Sequence, residues 1–239
     1  FLLPPGQMQS PAWEWLFSLG MRVPPMGRWL SKRFRKWVLN CLNAPNPVSQ
    51  RMLSGGHMLL RRQAIEAAGG LFDPGFFMYY EDTDLCRRLH AAGFGLLLDP
   101  SARVVHEWRN DPSKYHFVPD SRRHYLKKHF SRTWLTDRWR LKLEQSWPTR
   151  PTNPNLLNLG VCALPPVFEL PAGMSGEWLL ELSSNPLFMP AAYSTSCAPP
   201  CIPLHIGSLL GPGRYWVRVT APGGKEHLFT WEIPDQTPP

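Results

Sequence analysis

The nine residues WPTRPTNPN, 147–155, hold prolines at 148, 151 and 154. Proline offers no N–H to a helix interior or a central strand, so no regular element runs through such a stretch. It divides the chain. Residues 1–150 carry 23 Lys+Arg against 12 Asp+Glu, a net of +11, whereas residues 151–239 carry 3 against 6, a net of −3. That asymmetry argues for two units with different partners. The basic unit is expected to attract phosphates, on a nucleotide, a nucleic acid or a lipid headgroup.

No run of about 20 apolar residues is present, so no membrane-spanning helix is expected. The opening FLLPPGQMQSPAWEW has no basic leader and no small-residue cleavage site, and it lacks an initiator methionine. It reads as a fragment or a processed chain rather than a secretory signal. Five cysteines, at 41, 86, 162, 197 and 201, are odd in number and scattered, which fits a reducing compartment and a cytoplasmic location.

Residues 1–44 read as a basic amphipathic insertion. GRWLSKRFRKWVLNCL places Leu30, Phe34, Trp37 and Val38 on one helical face and Arg28, Lys32, Arg33, Arg35 and Lys36 on the other. Two readings stand: a helix lying on an anionic membrane, here the inner face of the plasma membrane, or an ordinary surface helix. In 45–146, MLSGGHMLL reads as a strand containing Gly55 and Gly56, glycines that mark a bulge or a ligand's approach to the backbone. RRQAIEAAGG reads as a helix capped by Gly69 and Gly70. Phe94–Leu98 and a run ending at His106 read as strands, and 121–144 as one long helix with Asp120 or Ser121 as N-cap. After a linker at 147–159, residues 160–239 show short aromatic-rich runs between Pro/Gly turns, the texture of a small β-sandwich. There Trp178, Tyr215, Trp216 and Trp231 offer a stacking platform for carbohydrate, though core packing is the more common fate of such residues.

Chemistry concentrates in FFMYYEDTDLCRRL, 76–89. With about 100° per helical residue, Leu85, Leu89 and Cys86 fall within roughly 60° of Asp82, while Asp84 lies about 200° round. Asp84 reads as a solvated residue paired with Arg87 or Arg88, and Glu81 as a flank residue near Arg88. Asp82 lies in the apolar stripe, where an unpaired carboxylate is very costly. It is therefore the first catalytic candidate.

The run SGGHMLLRRQAIEAAGGLFDPGFFMYYEDTDLCRRLHAAGFGLLLDPSARVVH resembles the second half of the catalytic domain of family-2 glycosyltransferases, in particular their bacterial rhamnosyltransferase-like branch. The resemblance rests on Ser54-Gly55, Arg61-Arg62, the Gly-Gly-Leu-Phe-Asp turn, the Phe-Phe-x-Tyr-x-Glu-Asp-x-Asp-Leu-x-x-Arg helix start and the Pro-x-Ala-x-Val-x-His strand. It covers about residues 45–135. Residues 151–239 do not share it.

The resemblance implies an α/β fold, the acceptor-side half of a GT-A domain, followed here by the all-β unit. It implies inverting transfer from a nucleotide-sugar donor to a glycan or polyprenyl-linked acceptor. Asp82 becomes the general base on the acceptor hydroxyl, with Glu81 beside it as a second catalytic candidate. His106 becomes the ligand of a divalent metal, Mg²⁺ or Mn²⁺, on the diphosphate. Gly55, Gly56, Arg62, Tyr80 and Asp84 are candidate substrate-binding residues. Structural readings run alongside: Asp73 organises its turn, Tyr79 and Tyr80 pack in the core, and Arg87 and Arg88 pair with neighbouring acids. Asp82-Thr83-Asp84 spells the D-x-D that holds a donor's metal, but it opens a helix instead of following a nucleotide-binding strand. The nucleotide-binding half and its D-x-D do not occur in these residues, so little or no transfer is expected from this chain alone.

Two rivals remain at this level. One is a nucleic-acid-binding module resting on the basic residues of 113–142, which are spread over two faces and carry no recognised motif, so no nucleic-acid partner is expected. The other is a non-catalytic membrane-surface or carbohydrate-binding module built on 160–239. Cys197-Ala-Pro-Pro-Cys201 lacks the two further ligands a metal site needs.

Overall fold

The computed structural model describes residues 1–105, 112–130, 134–146, 155–171 and 175–235. It is a mixed α/β structure with a two-stranded and a five-stranded sheet. Helices α1 (Pro11–Gly20) and α2 (Pro24–Leu42) open the chain. Ser10 caps α1 by accepting the Trp13 N–H, and prolines occupy the first turn of both helices, where a missing N–H costs nothing.

The short strands β1 (Val48–Gln50) and β2 (Leu96–Leu98) pair antiparallel. Between them lie α3 (Arg62–Ala67) and α4 (Glu81–Ala91). Met52, Ala64, Ala68, Leu85, Cys86, Leu89 and Leu96 form their common core. Gly69 and Gly70 follow α3 with φ of +80° and +113°, the left-handed cap that glycine takes without a Cβ clash.

Three local expectations change. Ser54–His57 form a turn after β1 instead of the middle of a strand, because only 48–50 find a partner on β2. The stretch 121–144 holds two helices, α5 (Val118–His129) and α6 (Trp134–Ser146), and α5 starts directly from a 3₁₀ turn at Pro112–Phe117, ahead of the expected caps. Residues 101–105 are not a strand, and His106 lies outside the described residues.

The C-terminal unit is one mixed sheet in the order β3-β7-β6-β4-β5. Its strands are β3 (Leu156–Val161), β4 (Trp178–Ser183), β5 (Ala192–Ser196), β6 (Gly213–Thr220) and β7 (Glu226–Ile233), with the short helix α7 (Leu204–Gly207) before β6. β3 runs parallel to β7 and the other pairs are antiparallel. Period-two alternation gives the sheet two apolar faces. Trp178, Leu180, Val217, Val219, Phe229 and Trp231 look one way, into a core closed by Phe168 and Ile202. Leu228 belongs to the other core, which it shares with Tyr193 of β5, Phe188, Met189 and, from α2, Leu30, Phe34 and Val38.

So the layer expected to be a second sheet is a helix. The apolar stripe of α2 is buried on protein, and that corrects the reading in which this stripe enters a membrane. The aromatic platform is corrected too: Trp178 and Trp231 are fully buried, Tyr215 is buried, and Tyr215 stacks on Trp231 at 5.4 Å. Burying these rings stabilises the sheet far more than a surface platform would.

Charge fixes the helix–sheet junction. Glu181 on β4 and Arg218 on β6 are register partners on the helix side of the sheet. Arg218 donates to Glu181 through Nε at 2.6 Å and to Ser31 Oγ at 3.2 Å. Arg35 of α2 approaches Glu181 at 3.0 Å and Glu226 at 2.6 Å. The N-terminal segment straps the two units together: Leu2 bridges Tyr193, and the Gln9 carbonyl accepts from Tyr125 at 3.0 Å.

Candidate active site

The backbone entering α4 is strained. Tyr79 and Tyr80 both adopt left-handed conformations, φ +69° and +67°, each costing about 1–2 kcal/mol for a residue with a Cβ. Packing holds them there. Ser121 of α5 donates to the Met78 carbonyl at 2.7 Å, and the Tyr80 ring lies 5.3 Å from that of Tyr125. Asp73 shapes the preceding turn by accepting the Gly75 N–H at 2.8 Å. Such strain clusters where a side chain must be aimed.

What is aimed here is Asp82. Its Oδ2 accepts the Gly55 N–H at 3.0 Å, and its Oδ1 accepts the Thr83 N–H at 2.7 Å. The absence of a Cβ on Gly55 allows this approach, since a Cβ built there would lie 3.3 Å from Asp82 Cβ. The glycine thus brings a backbone donor to the carboxylate. Asp82 is half-buried and lines a cavity of about 680 Å³.

Apolar walls come from Trp13, Phe17 and Met52, and polar groups from Ser54, Glu14, Arg122, Arg140 and Glu144. The cations are already engaged. Arg122 grips Glu14 through Nε at 2.8 Å and reaches Asp137 at 2.7 Å, and Arg140 pairs with Glu144 at 2.6 Å. With Asp82 added, acids outnumber the two arginines. Such a cavity does not collect phosphate; apolar walls with a few placed polar groups suit a neutral, hydroxyl-rich ligand.

The other candidates fall in several places. Glu81 does not line the cavity; burial and the neighbouring Asp82 raise its pKa, and its buried Oε2 has no hydrogen-bond partner among the described residues. Tyr80 packs on Tyr125, and burial, reinforced by Glu14, pushes its phenol up to about 12. Gly56 is exposed beside Ser54, and Arg62 is exposed at the start of α3. Arg87 lies over the Phe130 ring at 4.4 Å.

Asp84 departs most from its sequence reading. It is fully buried, not solvated. α5 packs on the face expected to meet water, so Asp84 accepts from Arg88 Nε at 2.7 Å and His129 at 2.7 Å, with Lys128 at 2.8 Å. Burial alone would raise its pKa, but these three partners outweigh burial and lower it. Arg88 also donates to the carbonyls of Ala68, Gly70 and Leu71, tying α4 to the glycine turn. With its oxygens spent on protein, Asp84 serves the frame and does not meet the cavity.

Sequence reasoning missed Trp13, Glu14, Arg122, Arg140 and Glu144. Glu14 and Arg122 are 108 positions apart, and no local pattern joins them. The metal ligand named from sequence, His106, lies outside the described residues. Among the described residues no group of three His, Cys, Asp or Glu side chains is placed to hold a metal ion. Nor is any helix of the described residues long and apolar enough to cross a membrane.

No family model and no solved structure matches the chain. Over 54 residues it is 50% identical to the N-acetylglucosaminyl-diphospho-decaprenol L-rhamnosyltransferase of Mycobacterium tuberculosis, covering 23% of this chain and 17% of that protein. Over 58 residues it is 41% identical to the rhamnosyltransferase WbbL of Escherichia coli, covering 24% of this chain and 22% of that protein. The matched part spans about a fifth of the length of these curated relatives. A segment of the chain is thus related to rhamnosyltransferases.

Proposed function

We propose that this chain is the acceptor-side portion of an inverting, family-2-type glycosyltransferase of GT-A architecture, with Asp82 as the general base. The observation that carries the reading is the half-buried Asp82 carboxylate, fixed by the Gly55 N–H at the edge of a cavity walled by aromatic and ion-paired side chains. The similarity of a segment to two rhamnosyltransferases supports it.

The acceptor sugar of a glycan or polyprenyl-linked substrate sits in the cavity with one hydroxyl against Asp82. As that oxygen bonds to the anomeric carbon of a nucleotide-linked sugar, its proton passes to Asp82. The bond from the anomeric carbon to the diphosphate breaks on the opposite face and leaves its electron pair on the nucleoside diphosphate, giving inversion. Positioning and proton removal together supply large rate factors, the base alone about 10²–10⁴-fold. Burial, with the neighbouring Asp82 charge, raises the Glu81 pKa above its ordinary value. A divalent cation on the diphosphate, with His106 as ligand, belongs to the proposal through the resemblance alone; the described residues offer no set that fits it, and no step above passes through it.

The test is transfer from a panel of nucleotide-linked sugars to glycan and polyprenyl-linked acceptors, run on this chain and on any longer product of the same gene. Turnover lost in Asp82→Asn with acceptor binding retained supports the reading. Full turnover in Asp82→Asn overturns it, and so does the absence of both turnover and acceptor binding.

A further inference from the structure

We infer that the outward face of α2 is a docking surface for an anionic lipid bilayer, through the side of the helix opposite to its apolar stripe. The inference rests on the helix itself and stands whether or not the chain transfers a sugar.

The sequence PPMGRWLSKRFRKWVLNCL contains five basic residues and no acid. At about 100° per residue, Arg28, Trp29, Lys32, Arg33 and Lys36 fall within an arc of roughly 140°. The buried Leu30, Phe34 and Val38 occupy the opposite arc, against the sheet. Arg35 lies at the boundary and is spent on Glu181 and Glu226. The four cations of the outer arc are exposed, and among the described residues Lys32, Arg33 and Lys36 have no acidic partner. In their midst stands Trp29, 53% exposed, with the Arg33 guanidinium 5.5 Å from its ring centre.

A buried helix of a basic protein has no need of an exposed indole in the centre of its cationic face. A bilayer surface uses both components: indole settles at headgroup level, and cations meet the negative surface potential. At the rim of the face a recess of about 60 Å³ opens between α2 and the sheet, with Arg28, Lys32, Arg218 and Trp216 on its wall and Glu226 as its acid. It has room for a lipid phosphate at the edge of the contact. The partner is thus an anionic membrane surface, met by a rigid helix already anchored on its other side.

The experiment is sedimentation of the whole chain with vesicles of phosphatidylglycerol and phosphatidylcholine, against vesicles of phosphatidylcholine alone. Binding to the anionic vesicles only, lost at high salt, is expected. Each surface cation contributes about fivefold, so K32Q/R33Q/K36Q lowers the partition coefficient about 100-fold. The control K127Q/R138Q/K142Q removes the same charge elsewhere, from exposed positions, and leaves binding within about threefold of the wild type on that scale. Trp29→Ala weakens binding without changing its salt dependence. Circular dichroism confirms that the variants are folded. Equal losses in the two triple variants, equal binding to both vesicle types, no vesicle binding, or binding to duplex or single-stranded DNA in place of vesicles would each overturn the inference.

Discussion

The Gly55 N–H lies 3.0 Å from Asp82 Oδ2, and Gly55 has no side chain to hold the two apart. A Cβ there would sit 3.3 Å from Asp82 Cβ, tighter than ordinary contact, so the carboxylate would have to shift by a few tenths of an ångström. The Gly55 backbone is not in the left-handed region, so alanine is not strained. Gly55→Ala is expected to change stability by less than about 1 kcal/mol and, under the proposed function, in a product of the gene long enough to turn over, to lower sugar transfer roughly tenfold by misplacing Asp82. Paired urea titrations and initial rates check this. A stable variant with undiminished transfer would show that the contact does not position Asp82 for chemistry.

Asp84 is two residues from Asp82 and has a different role. It holds Arg88, Lys128 and His129 together inside the protein. Asp84→Ala leaves those partners facing an uncompensated site, and a loss of about 3–5 kcal/mol is expected. Loss of stability should dominate over any change in acceptor affinity of the fraction that stays folded. A loss below about 1 kcal/mol by chemical denaturation would show the network to be dispensable.

How far the sequence revealed this site depends on how local each signal is. The glycine pair closing α3, the Asp73 turn and the acidic start of α4 are set by neighbours in sequence, and all three occur as read. The relative burial of Asp82 and Asp84 was not legible, because a helical projection assumes one buried face. α4 is covered on a second side by α5, and nothing within 76–89 announces that contact. The two faces of α2 were legible, but their environments were not. The stripe of Leu30, Phe34 and Val38 fits a membrane and a sheet equally well, and the choice lies in β4, β6 and β7, more than 130 residues downstream. The cavity wall shows the same limit, since Glu14 and Arg122 meet only after the whole basic unit has folded.

Acid should weaken the protein in two stages. Burial holds the His129 imidazole below its ordinary 6.5, against the pull of Asp84, with Arg87 and Lys128 also near it. A depressed pKa means the folded state binds the proton less readily than the unfolded state. The stability His129 contributes is therefore present above pH 6.5 and is lost as pH falls through its folded value. Asp73 and Asp84 are also depressed, Asp73 first by its hydrogen bond from Lys128, and their contribution is lost below the ordinary carboxylate value of 3.8. Urea midpoints should be level from pH 8 to about 7, fall below 6.5, and fall again under 4. His129→Gln, which keeps a donor for Asp84, should flatten the first stage and keep the second. An unchanged first stage in that variant would assign it to another group.

The junction between α2 and the sheet depends on Glu181, which has no solvent exposure and receives Arg218 and Arg35 together. A buried ion pair is not a large net source of stability, because its desolvation offsets much of the attraction; removing one partner is what destabilises. Glu181→Ala should therefore cost about 3–5 kcal/mol, since Arg218 remains buried without its paired carboxylate, keeping Ser31 Oγ, the Phe188 ring 4.5 Å away and the more distant Glu226 charge. Replacing both members, Glu181→Leu with Arg218→Met, removes the charges together and should recover stability to within about 2 kcal/mol of the wild type. Arg35→Ala should cost less than either single change at the pair, because Arg35 is partly solvated and Glu181 keeps its cross-strand partner. A double-mutant cycle in urea measures the coupling. If Glu181→Ala and the double variant were equally unstable, the damage would come from lost packing at the strand centre, and the ion pair would not be what seats the helix on the sheet.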